Sequence, residues 1–210
     1  MIYFANPVSP AVVDAMGSGL LGMIDTPYQN KRTRVEEAHA AGTVWCADNG
    51  AFADRWDADT WWRWLTADRQ ITARDRCAFA VIPDVVADAA ATLTLSRRWI
   101  PEVQALGYPI AYVAQDGAEH TPPPWGSFDV LFLGGTDDWK LGPHAANLTT
   151  QARSLGLGVH MGRVNSERRF QYARLIGCTS VDGTYLTYGP DVNLPRLRSW
   201  LRTLDQPTMF

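Results

Sequence analysis

Three aspartates stand in short segments that read as strand ends: Asp48 in ADNGAF, Asp84 in IPDVVAD and Asp182 in VDGT. Between them lie AQDG with Gln115 and Asp116, LGGTDD with Gly134 and Gly135, and HMGRVNS with His160 and Arg163. Carboxylates gathered at one site can divide the work of a general acid or base, an acceptor that reads a ligand, and a nucleophile. Asp, His and Asp could instead hold a divalent ion, but no H-x-H or H-E-x-x-H spacing is present. The three cysteines, Cys46, Cys77 and Cys178, are far apart and form no C-x-x-C pair. No metal is expected, and His160 can also be read as a packed core histidine.

These clusters must be brought together by the elements that precede them. Continuous apolar runs recur at 2–6, 20–24, 43–47, 78–82, 109–114, 129–134, 156–161 and 179–181, as expected of strands buried on both faces. Helical patterns lie between several of them, at 57–68, 87–106, 142–155 and 166–176. Asp57 and Ser166 stand at N-cap positions, and Gly107, Gly156 and Gly177 stand at C-caps. The alternation predicts an α/β fold, a compact (β/α)8 TIM-type barrel formed as a single domain over residues 1–210. A seven-stranded or doubly wound sheet is the alternative, because the first and last units are weakly patterned. In a barrel, six consecutive strand ends deliver polar side chains to one rim. Asp and Gly are common at such turns as caps and bends, so it is the succession that argues for a site.

Composition narrows the classes. The chain has 210 residues, 46% of them apolar, with 19 Lys and Arg against 22 Asp and Glu for a net charge of −3. That balance is ordinary for a globular protein and carries no strong nucleic-acid signature. Only Lys31 and Lys140 are lysines, so the basic residues are nearly all arginines, the better bidentate phosphate ligands. The start MIYFANPVSP lacks signal-peptide regions and no apolar run is of membrane-spanning length, so a cytoplasmic protein with reduced thiols is expected.

Taken in order, the motifs resemble those of the tRNA-guanine transglycosylase superfamily, whose barrel members exchange guanine for a 7-deazaguanine base. ADNGAF resembles its D-S-G-G-F/Y block, which implies Asp48 as the acid/base residue and Phe52 as the aromatic that stacks on the base. IPDVV places Asp84 where that family reads the guanine edge. AQDG with Gln115 is similar to its Q-G-G turn, and FLGG with Gly134 and Gly135 to its G-G-L loop. HMGRV is similar to its L-M-G-V-G segment, which implies His160, Met161 and Gly162 at the base, Met161 covering its second face. SVDGT resembles the F-D-C-V segment and implies Asp182 as the nucleophile. Residues 183–210 contain neither Cys nor His, so the family's zinc-binding subdomain is not expected, and GGTDDWK replaces its G-G-L-A-V-G-E loop. The zinc-free form resembles short phage and bacterial paralogues that insert 7-deazaguanines into DNA.

The resemblance therefore implies replacement of guanine in DNA by a 7-deazaguanine such as preQ0, through a covalent aspartyl-glycosyl intermediate and with no cofactor. It places the protein in the cytoplasm, that of the host for a phage-encoded chain. Alternatives are a tRNA substrate, or an N-glycosidase on the same barrel that lets water finish the reaction. A non-catalytic binding protein is a third reading. Arg163, Arg168 and Arg169 follow the seventh strand and are candidates for phosphate contacts. Trp56, Trp61, Trp62 and Trp64 are expected to pack a helix against the barrel or a partner subunit, which leaves a homodimer open. Trp125 and Trp139 are the tryptophans more open to substrate.

Overall fold

A computed structural model describes residues 1–30, 32–53 and 56–202. Their strands, all parallel, close in sequence order into an eight-stranded barrel. These are β1 (Ile2–Ala5), β2 (Gly22–Asp25), β3 (Trp45–Ala47), β4 (Cys77–Val81), β5 (Ile110–Ala114), β6 (Val130–Leu133), β7 (Gly158–Met161) and β8 (Ser180–Asp182). Each falls within or beside one of the eight apolar runs, so the barrel holds and the seven-stranded and doubly wound alternatives fall. Closure rests on β1 against β8, where Phe4 pairs in register with Asp182.

Helices cover the barrel. They are α1 (Pro10–Gly17), α2 (Arg32–Ala40), α3 (Ala58–Leu65), α4 (Asp68–Ala73), α5 (Ala89–Ala105), α6 (Asp137–Lys140), α7 (Pro143–Ser154), α8 (Glu167–Ile176) and α9 (Pro190–Arg202). The expected caps at Asp57 and Ser166 accept backbone N–H groups from Thr60 and Arg169, and Gly177 closes α8 in the left-handed region. The helix expected over 57–68 stops at Leu65, and a second one, α4, follows. No helix of the described residues is long and apolar enough to cross a membrane.

Alternation along the strands sorts the side chains into two cores. Outward residues such as Tyr3, Trp45 and Tyr112 pack under the helices, while Phe4, Cys46, Phe79 and Val113 belong to a separate inner cluster. His160 stands among the inner rings, its centroid 5.0 Å from that of Phe79 and 4.5 Å from that of Phe132. Phe4 packs edge-on to Phe79 at 5.6 Å. Gly22 makes room for this layer, since a Cβ there would lie 2.4 Å from the Phe4 ring. An aromatic plug thus fills the interior, and the space left for a ligand lies above it.

The tryptophans pack as the sequence reading expected of a core-facing helix. Trp61 meets Trp99 of α5 edge-on at 5.3 Å, Trp62 tilts over Trp99 at 5.6 Å, and Trp64 meets Trp45 at 6.4 Å. Trp56 is partly buried against the same core.

Candidate active site

The strand ends at the C-terminal mouth enclose a cavity of about 370 Å³ whose walls include Asp48, Asp84, Gln115, Phe52 and Asp182. The reason is positional. Asp48 directly follows β3 and Asp182 ends β8, while Asp84 follows β4 after Ile82 and Pro83.

Asp84 is the most tightly held of the three. Asn49 donates through Nδ2 to Asp84 Oδ1 at 2.7 Å and to the Ile82 carbonyl at 3.0 Å, and Asn49 Oδ1 accepts from the Ala51 N–H at 2.8 Å. On the other side Gln115 donates to Asp84 Oδ2 at 2.6 Å, and its own oxygen accepts from the Ala87 N–H at 3.0 Å. Two side-chain amides, each fixed by backbone, therefore set the plane of this carboxylate. Burial raises its pKa, and the hydrogen bonds from Asn49 and Gln115 work against that rise.

Asp182 is oriented from below and from the side. Its Oδ2 lies 2.8 Å from His160 Nε2, and its Oδ1 accepts from the Arg163 N–H at 3.1 Å. A carboxylate can only accept, so Nε2 carries the proton; in a neutral ring Nδ1, 2.9 Å from Ser180 Oγ, then accepts from that hydroxyl. Asp48 is the acidic outlier: burial first, then the charges of Asp182 and Asp84, push it up to about 7. A carboxyl poised there can hold or release a proton near neutrality beside a carboxylate that is held by two hydrogen bonds.

Phe52 is 64% exposed at the mouth. The Arg163 guanidinium lies over its ring, 4.3 Å from the centroid. Arg163 also donates to the carbonyls of Gly134, at 2.7 Å, and Gly135. It adopts a positive φ of 62°, which turns its backbone N–H toward Asp182.

Several expectations need correction. Met161 does not face the cavity: it follows inward-pointing His160 on β7, so its side chain points out and is fully buried under the helices. Gly135, placed by the resemblance in the G-G-L-like loop, does not line the cavity: its N–H donates to the Ala114 carbonyl at 3.3 Å, and Gly134 lines the cavity with Gly162. His160 lies beneath Asp182 in the plug, which makes it a positioning residue. Trp125 packs on Phe128 at 5.5 Å, and buried Trp139 donates to Glu119 at 2.8 Å, so neither lines the cavity. Arg169 pairs with Asp137 at 2.5 Å, whereas Arg168 is exposed. Sequence reasoning missed Asn49, Ser180 and the lining residues Asn6 and Thr184. Asn49 was within reach, because it directly follows Asp48 in the cluster already singled out. Among the described residues no group of three or more His, Cys, Asp or Glu is arranged to hold a metal ion.

No protein-family model matches this sequence, and a search of curated proteins found no significant match. Comparison with solved structures returns (β/α)8-type enzymes. A 3-hexulose-6-phosphate synthase aligns with TM-score 0.51 and 11% identity over 95% of this chain and 99% of that one. Dihydrodipicolinate synthase from Bacillus clausii aligns with 0.54 and 14% over 97% and 75%. Phosphoribosyl anthranilate isomerase from Thermus thermophilus gives 0.52 and 14% over 97% and 100%. At such identities the likeness is one of fold alone.

Proposed function

We propose that the chain is an enzyme, a base-exchange glycosyltransferase that replaces guanine in DNA with a 7-deazaguanine. The observation that carries this reading is the convergence of three differently prepared carboxylates on one cavity: Asp182 pinned, Asp48 poised near neutrality and Asp84 clamped. The Asp182 carboxylate attacks C1′ of the target nucleotide as the C1′–N9 bond breaks, and Asp48 gives its proton to the departing guanine. In the second half Asp48 takes the N9 proton of the incoming base, whose nitrogen attacks C1′ and releases Asp182. Atoms and charge balance with no external reagent, the double displacement of retaining glycosidases turned to a nitrogen acceptor. Asp84 accepts from the N1–H and N2–H₂ edge that a guanine and a 7-deazaguanine share. The target base must leave the helical stack to reach this depth.

The test is incubation of the protein with guanine-containing DNA and a labelled 7-deazaguanine. Incorporation of label with release of one guanine per event is the expected result. An abasic product without incorporation assigns the site to a hydrolase, and labelling of tRNA in place of DNA corrects the substrate.

A further inference from the structure

Beside the first cavity opens a second, of about 720 Å³, which shares Asn6, Thr26, Asp48, Gly50 and Thr184 with it. It runs outward over the loops that follow β1, β2 and β8. Apart from Asp48, its described walls carry no charged side chain: they present amides and hydroxyls, as in Gln29, Asn30 and Thr187, and the rings of Tyr28 and Tyr188.

The Tyr28 ring and the backbone that carries Tyr188 are set by specific contacts. The Tyr28 hydroxyl accepts from the Asp57 N–H at 2.9 Å, and its ring lies over Gly50, where a Cβ would approach it to 2.6 Å and φ is +76°. Only glycine suits that position, so the backbone at Gly50, which lines both cavities, yields to the Tyr28 ring, a wall of the second. Tyr188 is 76% exposed, yet its loop is tied by Asn193, which donates through Nδ2 to the carbonyls of Tyr188 at 2.6 Å and Tyr185 at 3.0 Å. A large ring held out on a fixed loop buries little for the fold and offers a face to a ligand. Among the described residues the mouth is therefore asymmetric: the Arg163 guanidinium stands on the β7 to α8 side, while the walls of this cavity other than Asp48 offer uncharged stacking and hydrogen-bonding surface.

We propose that the second cavity is a subsite for the nucleobase next to the exchanged guanosine on the same strand, stacked on Tyr188 and held at its edge by Gln29 or Asn30. The assignment rests on the base-exchange reading. A nucleobase fits because it is flat, neutral and rich in edge donors and acceptors, whereas a phosphate would find no cation among the described walls. The strand is accordingly taken up locally unpaired around its target.

Single strands with the target guanosine flanked by a normal or an abasic nucleotide test the proposal, together with Tyr188→Ala and Tyr188→Phe. Loss of the base on one side is expected to lower kcat/KM about tenfold, mainly through KM, and Tyr188→Ala to do the same on the intact strand. Tyr188→Phe, which keeps the ring, restores most of it. The two losses do not add, because both remove one contact. In parallel, 2-aminopurine placed beside the guanosine is quenched on binding by the parent protein and much less by Tyr188→Ala. Exchange that is indifferent to abasic flanks on both sides, or losses that add, would overturn the subsite. Quenching that depends on Tyr188 without any base exchange keeps the subsite and removes the exchange reaction instead.

Discussion

At the scale of single residues, the three carboxylates differ because their neighbours differ, and each difference is measurable. On the proposed base exchange Asp182→Asn removes the nucleophile, so exchange and a covalent adduct detected by intact mass after denaturation are both expected to be lost. The same proposal requires Asp48 to be protonated when the first base leaves, so kcat/KM for the nucleic acid is expected to fall as pH rises above about 7. The same elevation has a cost in stability. Between the ordinary carboxylate range and about 7 the folded chain keeps a proton that the unfolded chain has lost, so this contribution declines as pH rises through that window. Asp48→Asn is expected to raise Tm relative to the parent at pH 8 but not at pH 4. His160→Phe keeps a ring within the plug while removing the donor to Asp182, and should lower kcat by roughly tenfold or more. Aspartates at strand ends were legible in the sequence. Which face Met161 takes was not, because a motif match ignores the one-residue parity that sends His160 inward and Met161 outward.

At the scale of elements, the strands were readable because continuous β-branched and aromatic runs have few other uses, whereas several helices were not. Helix α2, RTRVEEAHA, buries only Val35, Ala38 and His39 and advertises little apolar stripe, whereas α9 sets Leu194, Leu197, Trp200 and Leu201 on one face but is broken in pattern by Pro195. The short helix α6 hides a device the sequence did not betray. Its Lys140 is fully buried, donates to the Gly162 carbonyl at 2.8 Å and lies 3.3 Å from Asp137. Burial and then the nearby Arg163 charge push its pKa down to about 8. That bond anchors the segment whose next N–H meets Asp182. Lys140→Met leaves the Gly162 carbonyl without this donor; a loss of about 1–3 kcal/mol in urea denaturation, accompanied by lower kcat/KM, is expected.

At the scale of the whole molecule, a net charge of −3 means that any hold on a polyanion comes from a local patch. Arg163, Arg168 and Arg169 are the arginines that follow β7, and two of them already have acceptors in the protein. The logarithm of the DNA association constant should therefore fall with the logarithm of salt concentration with a slope no steeper than about −3, readable from titrations at several ionic strengths. The barrel itself was legible, yet it is shared by synthases and an isomerase that differ from this chain at most positions, so function had to be sought in side chains at the mouth.

The ring layer of Phe4, Phe79 and Phe132 around His160 partitions the protein lengthwise. Below that floor a substitution alters mainly how firmly the scaffold is assembled; above it, mainly how well the proposed reaction runs. A library scored once for heat tolerance and once for turnover should thus separate into two populations of positions, with His160, Asp48 and Lys140 bridging them.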